Sequence, residues 1–201
     1  LQLAALHERI PFRQGAAAIS WAYYEAQAKQ KNLTLLSDAG CASHVTLLDR
    51  QVIPAGFTTA KLKITHEDIH RWNEVERFFA KFPQMLWRLD FNGLFNTITD
   101  AQSFWDHVSP AAKERIEFLE DPYHADLMEK PEALVVFEGT DIAVDRNPTP
   151  VALDLAQVWV IKPVYFSPDY LFSEARSFTG KVVITSNMDH PLGQIIALHA
   201  T

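Results

Sequence analysis

The chain has 201 residues, of which 48% are hydrophobic, enough to bury one good core and too few for two large ones. Its 18 Lys and Arg against 25 Asp and Glu give a net charge of −7, and the absence of a basic run excludes nucleic acid and an anionic membrane as predicted partners. A single cysteine, Cys41, excludes an internal disulfide framework and multi-cysteine metal sites, and it fits a reducing cytoplasm. No stretch approaches the roughly 20 apolar residues of a membrane span, and 1–13 lacks the layout of a signal peptide.

The predicted elements begin with a helix and continue as short strands that alternate with helices. An Ala-rich stretch without proline, 15–30, predicts a helix that packs closely against its neighbours. Two short apolar segments follow at 33–36 and 43–48. From Thr58 onward, apolar runs of strand character are separated by segments of helical period. These predicted strands cover 59–64, 85–90, 116–120, 141–145, 158–162 and 181–186.

Polar capping residues mark the starts of several helices between these strands. Thr65 and Asp68 have the spacing of a capping box. Thr99 is the predicted cap of the second helix, and Ser167 followed by proline begins the last one. The helices are predicted at 65–80, 100–108, 126–139 and 167–178.

Strand and helix alternation with short loops predicts right-handed βαβ units and a parallel sheet that is buried on both faces. Two folds have this pattern, an open doubly wound sheet and a (β/α) barrel. No repeat, low-complexity tract or Gly/Ser linker indicates a further domain boundary.

Ionisable side chains close several of the predicted strands. Asp90, Glu120 and Asp145 each follow an apolar run, and Lys162 closes the next one. In a barrel these positions lie at the C-terminal mouth, where barrel active sites are built. Three carboxylates with almost no thiol or imidazole nearby form a hard-oxygen set that suits Mg²⁺ or Mn²⁺ rather than zinc. The alternative is that these strand ends simply meet solvent.

A second pattern places two lysines two residues apart, Lys61 and Lys63. A period of two puts both ammonium groups on one face of a strand whose other face carries Leu62 and Ile64. Neighbouring cations lower each other's pKa, which is how a lysine becomes a base at neutral pH. Together with Lys162 and metal-bound carboxylates, these lysines suit removal of a proton α to a substrate carboxylate. The alternative is a solvated edge strand with outward lysines.

The order and spacing of six short motifs resemble the enolase superfamily, and most of all the o-succinylbenzoate synthases of its muconate-lactonising subgroup. The motifs are KLK at 61–63, RLDFNG at 88–93, IEFLEDP at 116–122, DIAVD at 141–145, VIKP at 160–163 and ITSN at 184–187.

The resemblance implies a (β/α) TIM-type barrel that is incomplete in this chain, because a barrel alone takes about 250 residues. It also implies that the capping domain of the family is largely absent. We expect 1–14 to be the end of that capping domain or its junction, and 15–201 to be a partial barrel that carries the catalytic residues.

By the same resemblance, Asp90, Glu120 and Asp145 are the Mg²⁺ ligands, with Mn²⁺ as a substitute. Ser186 and Asn187 are then expected near the carboxylates of a small-molecule dicarboxylate substrate. The sequence carries no information on the oligomeric state.

The resemblance also assigns a role to each of the three lysines. Lys63 is the base that removes the α-proton and then, as an acid, assists loss of hydroxide from the same face. Lys162 stabilises the enediolate from the opposite face. Lys61 orients Lys63 and keeps its pKa low.

The reaction implied is the Mg²⁺-dependent dehydration of 2-succinyl-6-hydroxy-2,4-cyclohexadiene-1-carboxylate to o-succinylbenzoate in menaquinone biosynthesis. An N-acylamino-acid racemase or dipeptide epimerase on the same scaffold stays open, because Lys63 and Lys162 also suit acid and base chemistry on both faces of a carbon. A barrel that binds without turnover is the third reading. It is favoured by Asp145-Arg146, where the family usually has a second acid.

One motif indicates different chemistry. His66-Glu67-x-x-His70 matches the pattern of zinc metalloproteases. Helical periodicity directs both histidines away from the apolar face of 65–80 and toward solvent. We therefore do not predict a zinc site there.

Overall fold

The structure is a computed structural model. It describes residues 13–33, 43–47, 53–145 and 148–185. These residues form two compact units, the first made of 13–33 with 160–185 and the second of the described residues from 43 to 159.

Seven short strands alternate with helices along the chain. They are β1 (Val45–Leu47), β2 (Thr59–Lys63), β3 (Leu86–Asp90), β4 (Ile116–Glu120), β5 (Asp141–Val144), β6 (Val158–Ile161) and β7 (Lys181–Ile184). The order of the strands in the sheet is their order in the chain, and neighbours from β1 to β6 pair in parallel. This order is typical of a (β/α) barrel, because a doubly wound sheet reverses its strand order at a switch point.

Most of the helices lie between consecutive strands. They are α1 (Arg13–Gln30), α2 (His66–His70), α3 (Trp72–Ala80), α4 (Ile98–His107), α5 (Pro110–Lys113), α6 (Ala125–Met128), α7 (Pro131–Leu134), α8 (Pro150–Leu155) and α9 (Pro168–Ser177). Two 3₁₀ turns complete the described elements, at Val135–Phe137 and Pro163–Tyr165. No helix in the described ranges combines the length and apolar character that a membrane crossing requires.

Helix α3 covers one face of β3 and so determines which side chains point the other way. Phe79 stacks on Trp87 with ring centroids 4.2 Å apart, and Trp87 and Leu89 have no exposed surface. Because side chains alternate along a strand, Arg88 and Asp90 lie on the opposite face. The apolar face of β3 thus anchors the strand and leaves the polar face for chemistry.

The predicted helix at 65–80 is two helices. Thr65 and Asp68 form the expected capping box at the start of α2, which confirms that prediction. Arg71 has φ −114° and ψ 35°, outside the helical region, and it separates α2 from α3. The apolar face of 65–80 is buried only in α3, through Trp72, Val75, Phe78 and Phe79, whereas no residue of α2 is buried.

The cap predicted for the second helix was wrong. Thr97, not Thr99, is the N-cap of α4, and its hydroxyl accepts a hydrogen bond from the backbone N–H of Asp100 at 3.1 Å. Asp100 is three residues after Thr97, the spacing of a capping box. Ser167 caps α9 as predicted, through a hydrogen bond from Tyr170 N–H.

Proline explains the other differences in helix boundaries. The segment 126–139 divides into α6, α7 and a 3₁₀ turn, because Pro131 cannot continue the preceding helix and begins a new one. Helices α5 and α8 were not predicted. Each begins with a Ser-Pro or Thr-Pro pair, at Ser109 and Thr149, the same signal that located α9.

Within the first unit, the predicted helix at 15–30 is present as α1. Its small residues Ala16, Ala17 and Ala28 are buried. The indole N–H of Trp21 donates to the carbonyl oxygens of Pro163 and Phe166, at 3.2 and 3.0 Å. Close packing of this Ala-rich helix is therefore confirmed.

Candidate active site

Strand register brings the predicted metal ligands to neighbouring strand ends in the second unit. Lys63 pairs with Asp90 across β2 and β3, and Asp90 pairs with Glu120 across β3 and β4. Glu120 pairs in turn with Ala143. Asp145 lies two residues beyond Ala143, which places it on the same face of the sheet.

The two predicted faces of β2 differ in burial as expected. Leu62 and Ile64 are buried at 4% and 2% exposure, while Lys61 is half-buried and Lys63 is exposed. The alternative of an edge strand with both lysines in solvent therefore does not describe Lys61.

Lys61 lies between two of the carboxylates. Its ammonium group is 2.9 Å from Oδ2 of Asp90 and 2.7 Å from Oε1 of Glu120. The side chains of Lys61 and Asp90 are 11% and 15% exposed, and that of Glu120 is 1% exposed. Such charge-assisted hydrogen bonds are strong when water is excluded.

The surroundings of Glu120 contain more negative than positive charge. Burial raises the pKa of Glu120 to about 8, and the charges of Asp90 and Asp145 act in the same direction, while Lys61 opposes them. Burial disfavours the charged form of Lys61, but Glu120 and Asp90 outweigh it, so the pKa of Lys61 is raised. One ammonium group thus compensates only part of the charge of three carboxylates.

Asn92 contacts the other oxygen of Asp90. Its backbone N–H donates to Oδ1 at 3.2 Å, and its side-chain amide donates to the same oxygen. Asn92 has φ +49°, a left-handed conformation that asparagine tolerates better than most residues. The sequence analysis did not single out Asn92, although an Asp-x-Asn triplet after a strand is a turn signal of this kind.

Lys63 differs from Lys61, because its side chain has no partner among the described residues. It lies at the end of β2 in register with Asp90, and it makes no hydrogen bond or ion pair with any residue of the described ranges. Its ammonium group is therefore available to a substrate.

A half-buried polar cluster of Arg88, Glu117 and His44 lies further down β3 and β4 and next to the start of β1. A bulge makes Glu117 an extra residue in β4 opposite Arg88, and this redirects its side chain. Arg88 Nε donates to Glu117 Oε2 at 2.7 Å, and Arg88 Nη1 lies 2.9 Å from Nδ1 of His44. Burial lowers the pKa of His44 to about 4, and the charges of Arg88 and Lys61 act in the same direction. Neutral His44 thus accepts a hydrogen bond from Arg88.

Asp145 is buried at 7% exposure and borders a cavity of about 190 Å³. Its backbone N–H donates to Oδ1 of Asp121 at 3.1 Å. The other walls come from the residues that follow β3 and β4 and from the start of α8, among them Asn92, His124 and Thr149. An open volume therefore adjoins Asp145, one of the three predicted ligands.

The amino-acid sequence is similar to that of a curated protein at moderate identity. No model of a known protein family matches the chain. An o-succinylbenzoate synthase from Bdellovibrio bacteriovorus is 29% identical over 145 residues, which cover 71% of this chain and 43% of that protein.

Solved structures match the fold. An o-succinylbenzoate synthase from Thermosynechococcus elongatus, solved with Mg in its active site, has a TM-score of 0.58 and 22% identity, covering 72% of this chain and 48% of that one. A mandelate racemase/muconate lactonizing protein from Herpetosiphon aurantiacus has a TM-score of 0.65 and 13% identity, covering 80% and 52%. The chain has the fold of the enolase superfamily.

The fold that the six motifs implied, a partial (β/α) barrel like that of the enolase superfamily, is thereby confirmed. The chain spans about half the length of the relatives it matches. The seven-strand order and the matched structures decide between the two parallel folds that the sequence left open.

Of the residues that the enolase-superfamily resemblance selected, one lies in the first unit and two lie outside the described residues. Lys162 follows β6 in the first unit and is half-buried. Ser186 and Asn187 lie outside the described residues. Their roles stay predictions.

The zinc motif is solvent-facing, as predicted. His66 and His70 are exposed on α2. In the ranges that the structure describes, no three His, Cys, Asp or Glu side chains are arranged so as to hold a metal ion as they stand. At the strand ends, the ammonium group of Lys61 contacts one oxygen each of Asp90 and Glu120.

The donor set nevertheless fits a hard divalent cation. The charges of Asp90 and Asp145 both raise the pKa of Glu120, so the three carboxylates together carry an excess of negative charge. Charged carboxylate oxygens are the ligands that Mg²⁺ and Mn²⁺ prefer. A divalent cation would compete with Lys61 for the same oxygens.

Proposed function

We propose that the protein is a Mg²⁺-dependent enzyme of the enolase superfamily that dehydrates 2-succinyl-6-hydroxy-2,4-cyclohexadiene-1-carboxylate to o-succinylbenzoate. The observation that carries this proposal is the gathering of Asp90, Glu120 and Asp145 at neighbouring strand ends, with Glu120 buried. The similarity to two o-succinylbenzoate synthases supports the choice of reaction.

Asp90, Glu120 and Asp145 would hold the metal. When bound, Mg²⁺ supplies the positive charge that stabilises a substrate carboxylate as it gains electron density during proton removal. Asn92 donates two hydrogen bonds to Oδ1 of Asp90, so this carboxylate is oriented without the cation. Such preorganisation lowers the reorganisation that binding requires.

Lys63 is the proposed base. It is exposed and unpaired among the described residues while its strand position is fixed beside Asp90. It would take the proton from the carbon α to the substrate carboxylate and return it to the leaving hydroxyl group, which departs as water. Proton and leaving group thus balance on one face. Lys162 is proposed to stabilise the negative charge of the enediolate.

The test is the loss of the cyclohexadiene carboxylate, followed by absorbance with the purified protein in Mg²⁺ and then in excess EDTA. Rapid loss that EDTA abolishes and Mg²⁺ restores is the expected result. A protein that binds Mg²⁺ and leaves this compound unchanged would overturn the assignment of the reaction.

The second candidate is racemisation of N-acylamino acids or epimerisation of dipeptides, and it shares the proton-removal step. This candidate is considered because the fold also matches that of a mandelate racemase/muconate lactonizing protein. Two substrates tested in D₂O distinguish the two reactions. A racemase exchanges the α-proton of an N-acylamino acid with solvent deuterium, whereas a dehydratase consumes the cyclohexadiene carboxylate. A metal-binding barrel without turnover would do neither.

A further inference from the structure

Asp121 directly follows Glu120, the buried predicted ligand at the end of β4. Its backbone has φ +44°, in the left-handed region that side-chain-bearing residues other than Asn and Asp rarely adopt. This conformation turns the chain sharply at the point where the carboxylate of Glu120 is presented.

Asp121 makes bonds to both neighbouring strand ends. Its backbone N–H donates to the carbonyl oxygen of Ala143 at 3.0 Å, and its own carbonyl oxygen accepts from Gly93 N–H at 2.7 Å. Its carboxylate accepts from the backbone N–H of Asp145 at 3.1 Å. The peptide groups of Asp121 thus tie β4 to β5 and to the turn after β3.

The carboxylate bond is the unusual one. Asp145 lies just beyond the last residue of β5. The Asp121 carboxylate accepts a hydrogen bond from its backbone N–H and so restrains the backbone from which the Asp145 side chain extends. Gly93 is three residues after Asp90, so the same residue also restrains the loop behind the first ligand.

We infer that Asp121 is a positioning residue that holds Asp90, Glu120 and Asp145 in the arrangement required for divalent-cation binding. The inference rests on the proposed function, because it assigns the support of the proposed metal site. Groups that orient metal ligands typically change metal affinity by 10- to 100-fold when they are removed.

Three substitutions separate the contributions of Asp121. Asp121→Asn removes the charge but keeps an oxygen acceptor and a residue that tolerates positive φ. Asp121→Gly removes the acceptor and relieves any backbone strain, and Asp121→Ala removes the acceptor while leaving the strain. Mg²⁺ affinity is measured by titration calorimetry, and unfolding temperature in EDTA reports the fold of each variant.

We expect Asp121→Gly and Asp121→Ala to weaken Mg²⁺ binding by about tenfold or more, and Asp121→Asn to stay within about threefold of wild type. Asp121→Gly that is folded and binds Mg²⁺ like wild type overturns the inference. If all three variants weaken binding equally, the charge rather than the hydrogen bond is responsible, and the positioning role is wrong. If wild type binds no Mg²⁺, the proposed metal site fails, an outcome distinct from both.

A measurement on the wild type covers the case in which the glycine variant does not fold. If Asp121 holds Asp145 for the metal, Mg²⁺ should slow hydrogen exchange at the Asp145 amide, followed by nuclear magnetic resonance. An exchange rate that Mg²⁺ leaves unchanged, in a protein that binds the ion, contradicts the inference.

Discussion

The ammonium group of Lys61 lies 2.7 Å from Oε1 of Glu120, although the two residues are on strands separated by β3. The same nitrogen lies 2.9 Å from Oδ2 of Asp90 on that intervening strand. The resemblance assigned Lys61 the orientation of Lys63, whereas these contacts join it to two predicted metal ligands. Lys61 therefore offsets repulsion within the acidic site and would compete with a divalent cation for the same oxygens.

We expect Lys61→Met to tighten Mg²⁺ binding by about tenfold, because a like charge and a competitor for the same oxygens are removed. Without metal, the variant should lose about 2 to 3 kcal/mol of unfolding free energy, since a partly buried ion pair is broken and Glu120 compensates by binding a proton. Calorimetry and thermal unfolding in EDTA and in Mg²⁺ measure the two effects. Weaker Mg²⁺ binding in a folded variant would show that Lys61 assists the metal instead.

Glu120→Gln should weaken Mg²⁺ binding by about tenfold or more, because the substitution removes the negative charge of a proposed ligand. The amide is the same size as the carboxyl group, so the fold should persist. Glu132→Gln on the exposed start of α7 is the matched control and should bind Mg²⁺ like wild type. Unchanged affinity of the Glu120 variant on calorimetry would remove this residue from the ligand set.

Lys63→Ala should lower the turnover rate by a factor of about 100 or more, which is the usual contribution of a general base. The fold and Mg²⁺ binding should persist, because Lys63 is exposed and its strand keeps a buried apolar face. Lys81→Ala, at an exposed lysine after α3, controls for loss of a surface charge. Activity within tenfold of wild type would exclude Lys63 as the base.

The burial of neutral His44 predicts a pH dependence of stability. An unfolded histidine binds a proton near pH 6.5, whereas the pKa of His44 in the folded chain is lowered to about 4. Between these values the unfolded chain holds more protons, so the unfolding free energy rises with pH. After allowance for partial exposure, we expect roughly 1 to 2 kcal/mol over this window.

His44→Asn tests this because an amide oxygen can replace Nδ1 as the acceptor for Arg88 and cannot titrate there. Denaturant unfolding between pH 4 and 6.5 should show a shallower rise for the variant than for wild type. Identical slopes would mean that His44 is not the group responsible.

Gly93→Ala should destabilise the fold by roughly 1 to 3 kcal/mol. Gly93 has φ +76°, and an added Cβ would lie 2.6 Å from Nδ1 of His124. In the double variant with His124→Ala, the loss of unfolding free energy that comes from the steric clash should disappear, and the loss that comes from the positive φ should stay. Chemical denaturation of the two single variants and the double variant measures both parts, and an unaffected Gly93→Ala protein would contradict the expected strain.

The sequence by itself determined the parallel strand and helix alternation and the face of each strand that carries chemistry. Local rules are sufficient for this, because a period of two assigns Lys61, Asp90 and Glu120 to polar faces and short apolar runs define strands. Local rules also located the capping box at Thr65, since its hydrogen bonds join residues only three apart.

Only the tertiary structure decided which groups meet. The contact of Lys61 with Glu120 depends on two strand registers, the redirection of Glu117 depends on a bulge, and the bond from Asp145 to Asp121 joins residues 24 apart. Each involves atoms brought together by pairing between strands, which a residue's neighbours in the chain do not specify.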